Sequence, residues 1–138
     1  MDSYIFLRWS DADYSIGLKT IDEQHKQLIA LINKIYQALI DRNVHEVTAN
    51  VLDELEMYAG YHFGFEEKIF RQIGYELTDE HVAKHRAFTT QIKNFKDRMA
   101  AGEDVIFNIT NYLRDWLRNH VQKEDKLYAN DFMKAGVD

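Results

Sequence analysis

Four apolar stripes run along this chain, and no proline interrupts them anywhere in its 138 residues. Proline removes a helix hydrogen bond and clashes with the preceding turn, while sheets need frequent turns, so its absence leans the chain towards an all-α fold. The first stripe reads Leu18, Ile21, His25, Leu28, Ile32, Ile35 and Leu39, with steps of three and four as along a bundle seam. The second reads Val51, Leu55, Tyr58, His62, Phe65 and Ile69; the third His81, His85, Phe88, Ile92, Phe95 and Met99; the fourth Ile109, Leu113, Trp116 and His120. They predict helices over about 19–40, from about 44 past 71, over about 79–99 and from about 104. Thr78 or Asp79 is the expected N-cap of the third.

The breaks are short: "DRN", "QIGYELT" with Gly74 as a turn residue, and "AAGED" with Gly102 suited to a left-handed cap. Such loops join antiparallel neighbours, and helices of about 20 residues span about 30 Å. The expectation is one domain over 1–138, an antiparallel up-down-up-down four-helix bundle over about 18–122. A short C-terminal helix over about 125–134 follows it. The first 17 residues fit no stripe; Tyr4, Phe6, Leu7 and Trp9 suit an arm packed against the bundle.

Bulk properties narrow the function. A net charge of −6 with no basic cluster disfavours nucleic acid and anionic membranes. There is no apolar run long enough to span a bilayer, and "DSYIFLRWSD" lacks the features of a secretory signal. No cysteine is present, so disulfides and thiolate metal sites are excluded. A cytoplasmic protein is expected, either whole or as part of a longer one.

Each stripe is broken by histidine. His25, His62, His81, His85 and His120 account for five of the six histidines, and only His45, read as a surface residue, falls outside. One histidine on an apolar face is ordinarily a satisfied core residue. Five unpaired imidazoles distributed over all four seams would be costly to bury, and a metal that binds them together removes that cost. His62 and Glu66 are four apart, as are His81 and His85, so each pair can reach one centre. His120 and Asp125 are five apart, about 140° round a regular helix, which predicts a π-type bulge, a kink or a helix end between Val121 and Glu124. Five imidazoles and two carboxylates exceed one four-coordinate zinc site and suit two octahedral ions sharing bridging carboxylates. Iron fits this mixture, with manganese or zinc as competitors. Neither Glu-x-x-His nor HExxH occurs, which argues against a ferritin-like site and a zincin protease.

With these residues the sequence resembles the hemerythrin family, specifically the single-domain bacterial hemerythrins. The resemblance covers nearly the whole chain and rests on the arm with Trp9, "IDEQH" (21–25), "YHFGFEE" (61–67), "HVAKH" (81–85) and "WLRNHVQKED" (116–125). It implies that His81, His85 and His120 hold one iron and that His25 and His62 hold the other, which keeps an open position. Glu66 and Asp125 would bridge the two iron ions beside a solvent-derived oxo or hydroxo group. The implied partner is O2, bound reversibly for storage, transport or sensing, with no protein acid taking part. A dry pocket is then required, and by position Leu28, Phe63, Trp116 and Leu117 are its expected walls; plain core packing is the alternative for these four. A di-iron oxidase, a peroxidase, a nitric-oxide-handling enzyme and the sensory domain of a signalling protein remain alternatives on the same site.

Smaller features are read more plainly. Glu67 is expected to be solvated surface charge, with contact to a ligand imidazole as the alternative. Asp22 and Glu23 suit a helix start or the surroundings of the site. Gly60 and Gly64, each costing roughly 1 kcal/mol relative to Ala in a helix, suit close packing against a bulky neighbour or room beside the site.

Overall fold

The structure, a computed structural model, describes residues 7–40 and 44–137, without the side chains of 39, 44–48, 121, 122 and 124. Tyr4, Phe6, the "DRN" break and the side chain of His45 lie outside the described residues. The elements in order are α1 (Asp11–Tyr14), α2 (Lys19–Ile40), α3 (Val44–Ile73), α4 (Thr78–Ala100), α5 (Ile106–Trp116), a π-helix (Leu117–Glu124) and α6 (Asp125–Lys134). No strand occurs among the described residues, and no described helix is long and apolar enough to cross a membrane.

The stripes dictate the packing. α3 packs between α2 and α4, and α2 also meets α5. Phe88 and Phe95 of α4 close the ring against Tyr112 and Trp116 of α5, which completes the antiparallel four-helix bundle. Two apolar clusters fill it. The larger runs through α2 to α5 and is mostly aliphatic, with Leu28, Ile32, Ile35, Leu52, Leu55, Ile92, Ile109 and Leu113 at its heart. Each such side chain contributes about 1.5–3 kcal/mol when fully buried. The smaller lies where the chain enters α2 and where α6 docks, and joins Ile16, Leu18, Ile21 and Ile69 to the stacked rings of Phe70, Tyr75, Tyr128 and Phe132.

The arm packs on the bundle in its described part. Asn33 of α2 holds Leu7 as a strand neighbour would: it accepts from the Leu7 N–H at 2.8 Å and donates to the Leu7 carbonyl at 2.7 Å. Trp9 stacks on Tyr14 and lies beneath the Lys26 ammonium. The helical turn α1, capped by Ser10, is an addition to the expected plain arm. Asp22 ties this segment down, its carboxylate accepting from Ser15 Oγ at 2.6 Å and from the Ile16 N–H at 3.0 Å. It thus serves the helix start, and Glu23 pairs with exposed Lys26.

Three local expectations are corrected. Neither Thr78 nor Asp79 caps α4; Thr78 lies inside the first turn and its hydroxyl donates back to the Tyr75 carbonyl at 2.6 Å. α5 begins at Ile106, two residues past the expected start near Asp104, whose Oδ1 accepts from the Ile106 N–H at 3.5 Å. Gly60 and Gly64 pack against nothing: both are exposed, and a Cβ on either would meet no atom within 4 Å. Gly102 behaves as expected, with φ +89° where α4 ends and its N–H donating to the Met99 carbonyl at 2.9 Å.

Candidate metal centre

The five histidines of the stripes meet Glu66 and Asp125 in the core between the two apolar clusters. His25 comes from α2, His62 and Glu66 from α3, His81 and His85 from α4, His120 from the π-helix and Asp125 from the start of α6. All seven are buried, four of them at 0% exposure: His25, His62, Glu66 and Asp125.

The π-helix solves the spacing of His120 and Asp125. The Asp125 N–H donates to the His120 carbonyl, five residues back. That bonding turns residues five apart towards the same side, as α-helix bonding does for residues four apart. His120 Nε2 consequently lies 3.3 Å from Asp125 Oδ1. The distortion extends over eight residues, longer than the local bulge expected between 121 and 124.

The geometry divides into two imidazole groups joined by two carboxylates. One group is His81, His85 and His120; the other is His25 and His62, whose Nε2 atoms are 3.2 Å apart. Each carboxylate offers one oxygen to each group. Glu66 Oε1 meets His62 Nε2, while Oε2 lies 3.1 Å from His81 Nε2 and 4.0 Å from His85 Nε2. Asp125 Oδ2 lies 2.9 Å from His25 Nε2, while Oδ1 lies 2.9 Å from His81 Nε2. The four atoms offered by Glu66, His81, His85 and His120 lie within 4.8 Å of one another, as do those offered by His25, His62, Glu66 and Asp125.

Close as they are, many of these atoms make no hydrogen bond. Both oxygens of Glu66, both of Asp125, and Nε2 of His81 and of His85 are buried without a hydrogen-bond partner among the described residues. Buried polar atoms left this way cost about 1–3 kcal/mol each. Lone pairs from imidazole and carboxylate converging on two small volumes are a donor set for two cations, and the residues present fit a pair of iron ions.

Electrostatics follow the same plan. Burial pushes the Glu66 carboxyl up, but the imidazoles of His62, His81 and His85 outweigh it and hold it well below the usual carboxylate range. Burial and Glu66 likewise oppose ionisation of Asp125, yet His120, His25 and His81 bring it down to about 2. Both carboxylates are therefore anionic at neutral pH. Burial lowers His85, and drives His120 down to about 4, so both imidazoles are neutral and able to donate a lone pair. Burial also works against the charged form of His81, but Asp125 and Glu66 overcome it and raise the group to about 9.

Aromatic and aliphatic residues wrap the cluster. Phe63 stacks on His85 at 3.9 Å and meets His120 edge-on, and Trp116 stacks on His120 at 4.8 Å. Leu28, Phe63 and Leu117 are buried in the larger apolar cluster and half-buried Trp116 packs against it.

Three polar residues beside the cluster did not emerge from the stripes. Glu67, expected on the surface, instead has Oε2 2.9 Å from His85 Nδ1 and is only 20% exposed. A carboxylate there accepts the ring N–H and leaves Nε2 as the free donor. Gln24, buried beside His25, places Oε1 2.5 Å from His62 Nδ1. Tyr128, one turn after Asp125, is buried with its ring 5.6 Å from that of His81. Burial, then the charges of Asp125 and Glu66, hold its phenol well above the ordinary value. A signal existed for each: Gln24 and Glu67 adjoin cluster residues in sequence, and Tyr128 shares a helix face with Asp125.

Comparison with known proteins agrees with this arrangement. Residues 16–130 match the model of the hemerythrin HHE cation binding domain. A bacteriohemerythrin of Pseudomonas aeruginosa is 34% identical over 124 residues, covering 90% of this chain and 80% of the relative. One from Methylococcus capsulatus is 32% identical, covering 89% of this chain and 94% of the relative. The crystal structure of wild-type hemerythrin superposes with a TM-score of 0.83 at 29% identity, over 91% of this chain and 96% of the other. A buried cluster of five histidines and two carboxylates, the bundle that carries it and these likenesses lead to one conclusion: the chain belongs to the hemerythrin family.

Proposed function

We propose that this protein binds O2 reversibly at a di-iron centre held by His25, His62, Glu66, His81, His85, His120 and Asp125. One observation carries the reading: Glu66 and Asp125 each direct one oxygen to either imidazole group. Two carboxylates so placed would bridge two cations, and the two groups differ by one imidazole. His81, His85 and His120 with the two bridges would give one ion five protein ligands. His25 and His62 with the same bridges would give the other four, leaving room there for a small ligand. The pair of iron ions, when bound, supplies the two electrons that O2 takes up and returns.

The chain's own residues do the rest. Glu66 and Asp125 offset part of the cationic charge that would otherwise be expensive to bury. Leu28, Phe63, Trp116 and Leu117 would wall the site in apolar surface, with Phe63 on His85 and Trp116 on His120, and so exclude water and protons from it.

Anaerobic loading with ferrous iron, an iron count and exposure to air test this reading. The expected result is two iron ions per chain and an O2-dependent visible band that disappears on deoxygenation. Rapid oxidation without a reversible band overturns the proposal. Sustained turnover of peroxide or nitric oxide with a reductant would assign an enzyme instead.

A further inference from the structure

The two imidazole groups are backed by different chemistry. His85 Nδ1 faces a carboxylate, Glu67, which is partly exposed and 3.5 Å from the Arg71 guanidinium. His62 Nδ1 faces a neutral amide, Gln24, and both of those residues are buried. Gln24 stands next to His25 on α2 and reaches across to α3. One short stretch of α2 thus supplies one imidazole of the two-histidine group and grips the other.

The partner decides what each ring can give. An amide oxygen only accepts, so Gln24 Oε1 holds a proton on His62 Nδ1 and leaves Nε2, on the side of His25 and Glu66, as the nitrogen a cation can use. A carboxylate partner does this and also draws the Nδ1 proton towards itself, which makes the ring a stronger donor. Strong donation stabilises the ferric state; weaker donation leaves the ferrous state accessible. A neutral amide therefore suits a metal that must give electrons to O2 and take them back.

We propose that Gln24 is a positioning residue that locks the His62 tautomer and, by being uncharged, keeps the two-histidine metal position electron-poor enough for reversible O2 binding. The second half of this statement rests on the di-iron reading above; the first half does not.

Two variants separate the roles. Gln24→Met keeps the length and removes the acceptor; Gln24→Glu keeps the acceptor and adds charge. Nitrogen NMR of the imidazoles in metal-free protein reads the tautomer directly. A hydrogen-bonded proton is expected on Nδ1 of His62 in wild type and Gln24→Glu, whatever proton Nε2 shares with Glu66 in the absence of metal, and that Nδ1 proton is expected to lose its hydrogen bond or leave the nitrogen in Gln24→Met. An unchanged Nδ1 signal in Gln24→Met overturns the positioning role even if the protein holds no iron. In loaded protein, competition with a ferrous chelator is expected to show a loss of affinity of about 10–100-fold for Gln24→Met and little loss for Gln24→Glu. The oxy form of Gln24→Glu is expected to autoxidise several-fold faster than wild type, with its reduced fraction lower at a fixed redox poise. Equal or slower autoxidation in Gln24→Glu overturns the tuning role, because packing alone does not distinguish amide from carboxylate. If wild type binds two iron ions but never shows a reversible oxy band, the functional reading fails while the tautomer and affinity results still decide the positioning role.

Discussion

The two apolar clusters on either side of the candidate metal centre are built differently. The larger is mostly Leu, Ile and Val with Phe63, Phe88 and Phe95 among them, the kind of packing a regular three-and-four stripe produces anywhere. The smaller is dense in aromatic rings and is completed by α6, which folds back so that Tyr128 and Phe132 stack at 4.1 Å and both reach Phe70. The first cluster makes a bundle. The second closes that bundle over the seven polar residues, since α6 also carries Asp125. Losses in the first away from the polar residues, as at Leu52, should cost stability alone, whereas Phe63 of that cluster stacks on His85; losses in the second should cost stability and metal together.

The strongest test removes what lies between the clusters. Glu66→Ala deletes the carboxylate facing both imidazole groups, and breaking a buried pair of this kind costs about 3–5 kcal/mol. Iron content is expected to fall from two per chain to one or none, measured by elemental analysis beside a denaturant melt. Two iron ions in that variant would refute the bridging role. Next comes a matched pair. Phe132→Ala in the aromatic cluster and Leu52→Ala in the aliphatic one, both at 0% exposure, should each lose about 2–5 kcal/mol. Only Phe132→Ala should speed iron loss to a chelator; equal loss rates in the two variants would erase the contrast.

A smaller effect is read by pH. In metal-free protein His120 sits at about 4, below its ordinary value of 6.5, so unfolding binds protons in that window and stability falls as pH drops from about 6.5 to 4. His81 sits at about 9, above 6.5, so its contribution is full below 6.5 and is lost as pH rises to about 9. Melting temperature of the metal-free protein should therefore peak near pH 6.5. Loading with iron should abolish the alkaline decline, since a ligating imidazole has no Nε2 proton to lose. The smallest change is a gain: Gly60→Ala and Gly64→Ala, on an open helix face, should each add about 1 kcal/mol and leave iron binding untouched. A loss of stability there would mean that these glycines have a role the packing does not reveal.

Much of this was legible in the sequence because the relevant physics is periodic. The stripes placed α2, α3 and α4 to within a residue or two, and the histidines that interrupt them are the residues that gather in the core. The five-residue step from His120 to Asp125 was readable as a distortion because no regular helix brings those positions together. What escaped was not periodic. Glu67 and Gln24 look like surface residues on a helical wheel, and their partners lie on other helices, His85 on α4 and His62 on α3. Their roles depend on the distance and tilt between helices, which no single stripe encodes. The N-cap of α4 failed for a similar reason, as the Thr78 hydroxyl found a carbonyl in the preceding turn.

The π-helix has a consequence beyond bringing His120 to Asp125. α5 and α6 are joined without a loop, so Ile106 to Lys134 is one continuous rod whose two ends must serve different walls. The wide turns act as a phase shifter, rotating the apolar side of α6 relative to that of α5. Length is therefore tolerated unequally along the chain. An added or deleted residue in the turn at Gly102 changes only a connection, whereas one between Leu117 and Glu124 would turn Asp125, Tyr128 and Phe132 away from their places at once.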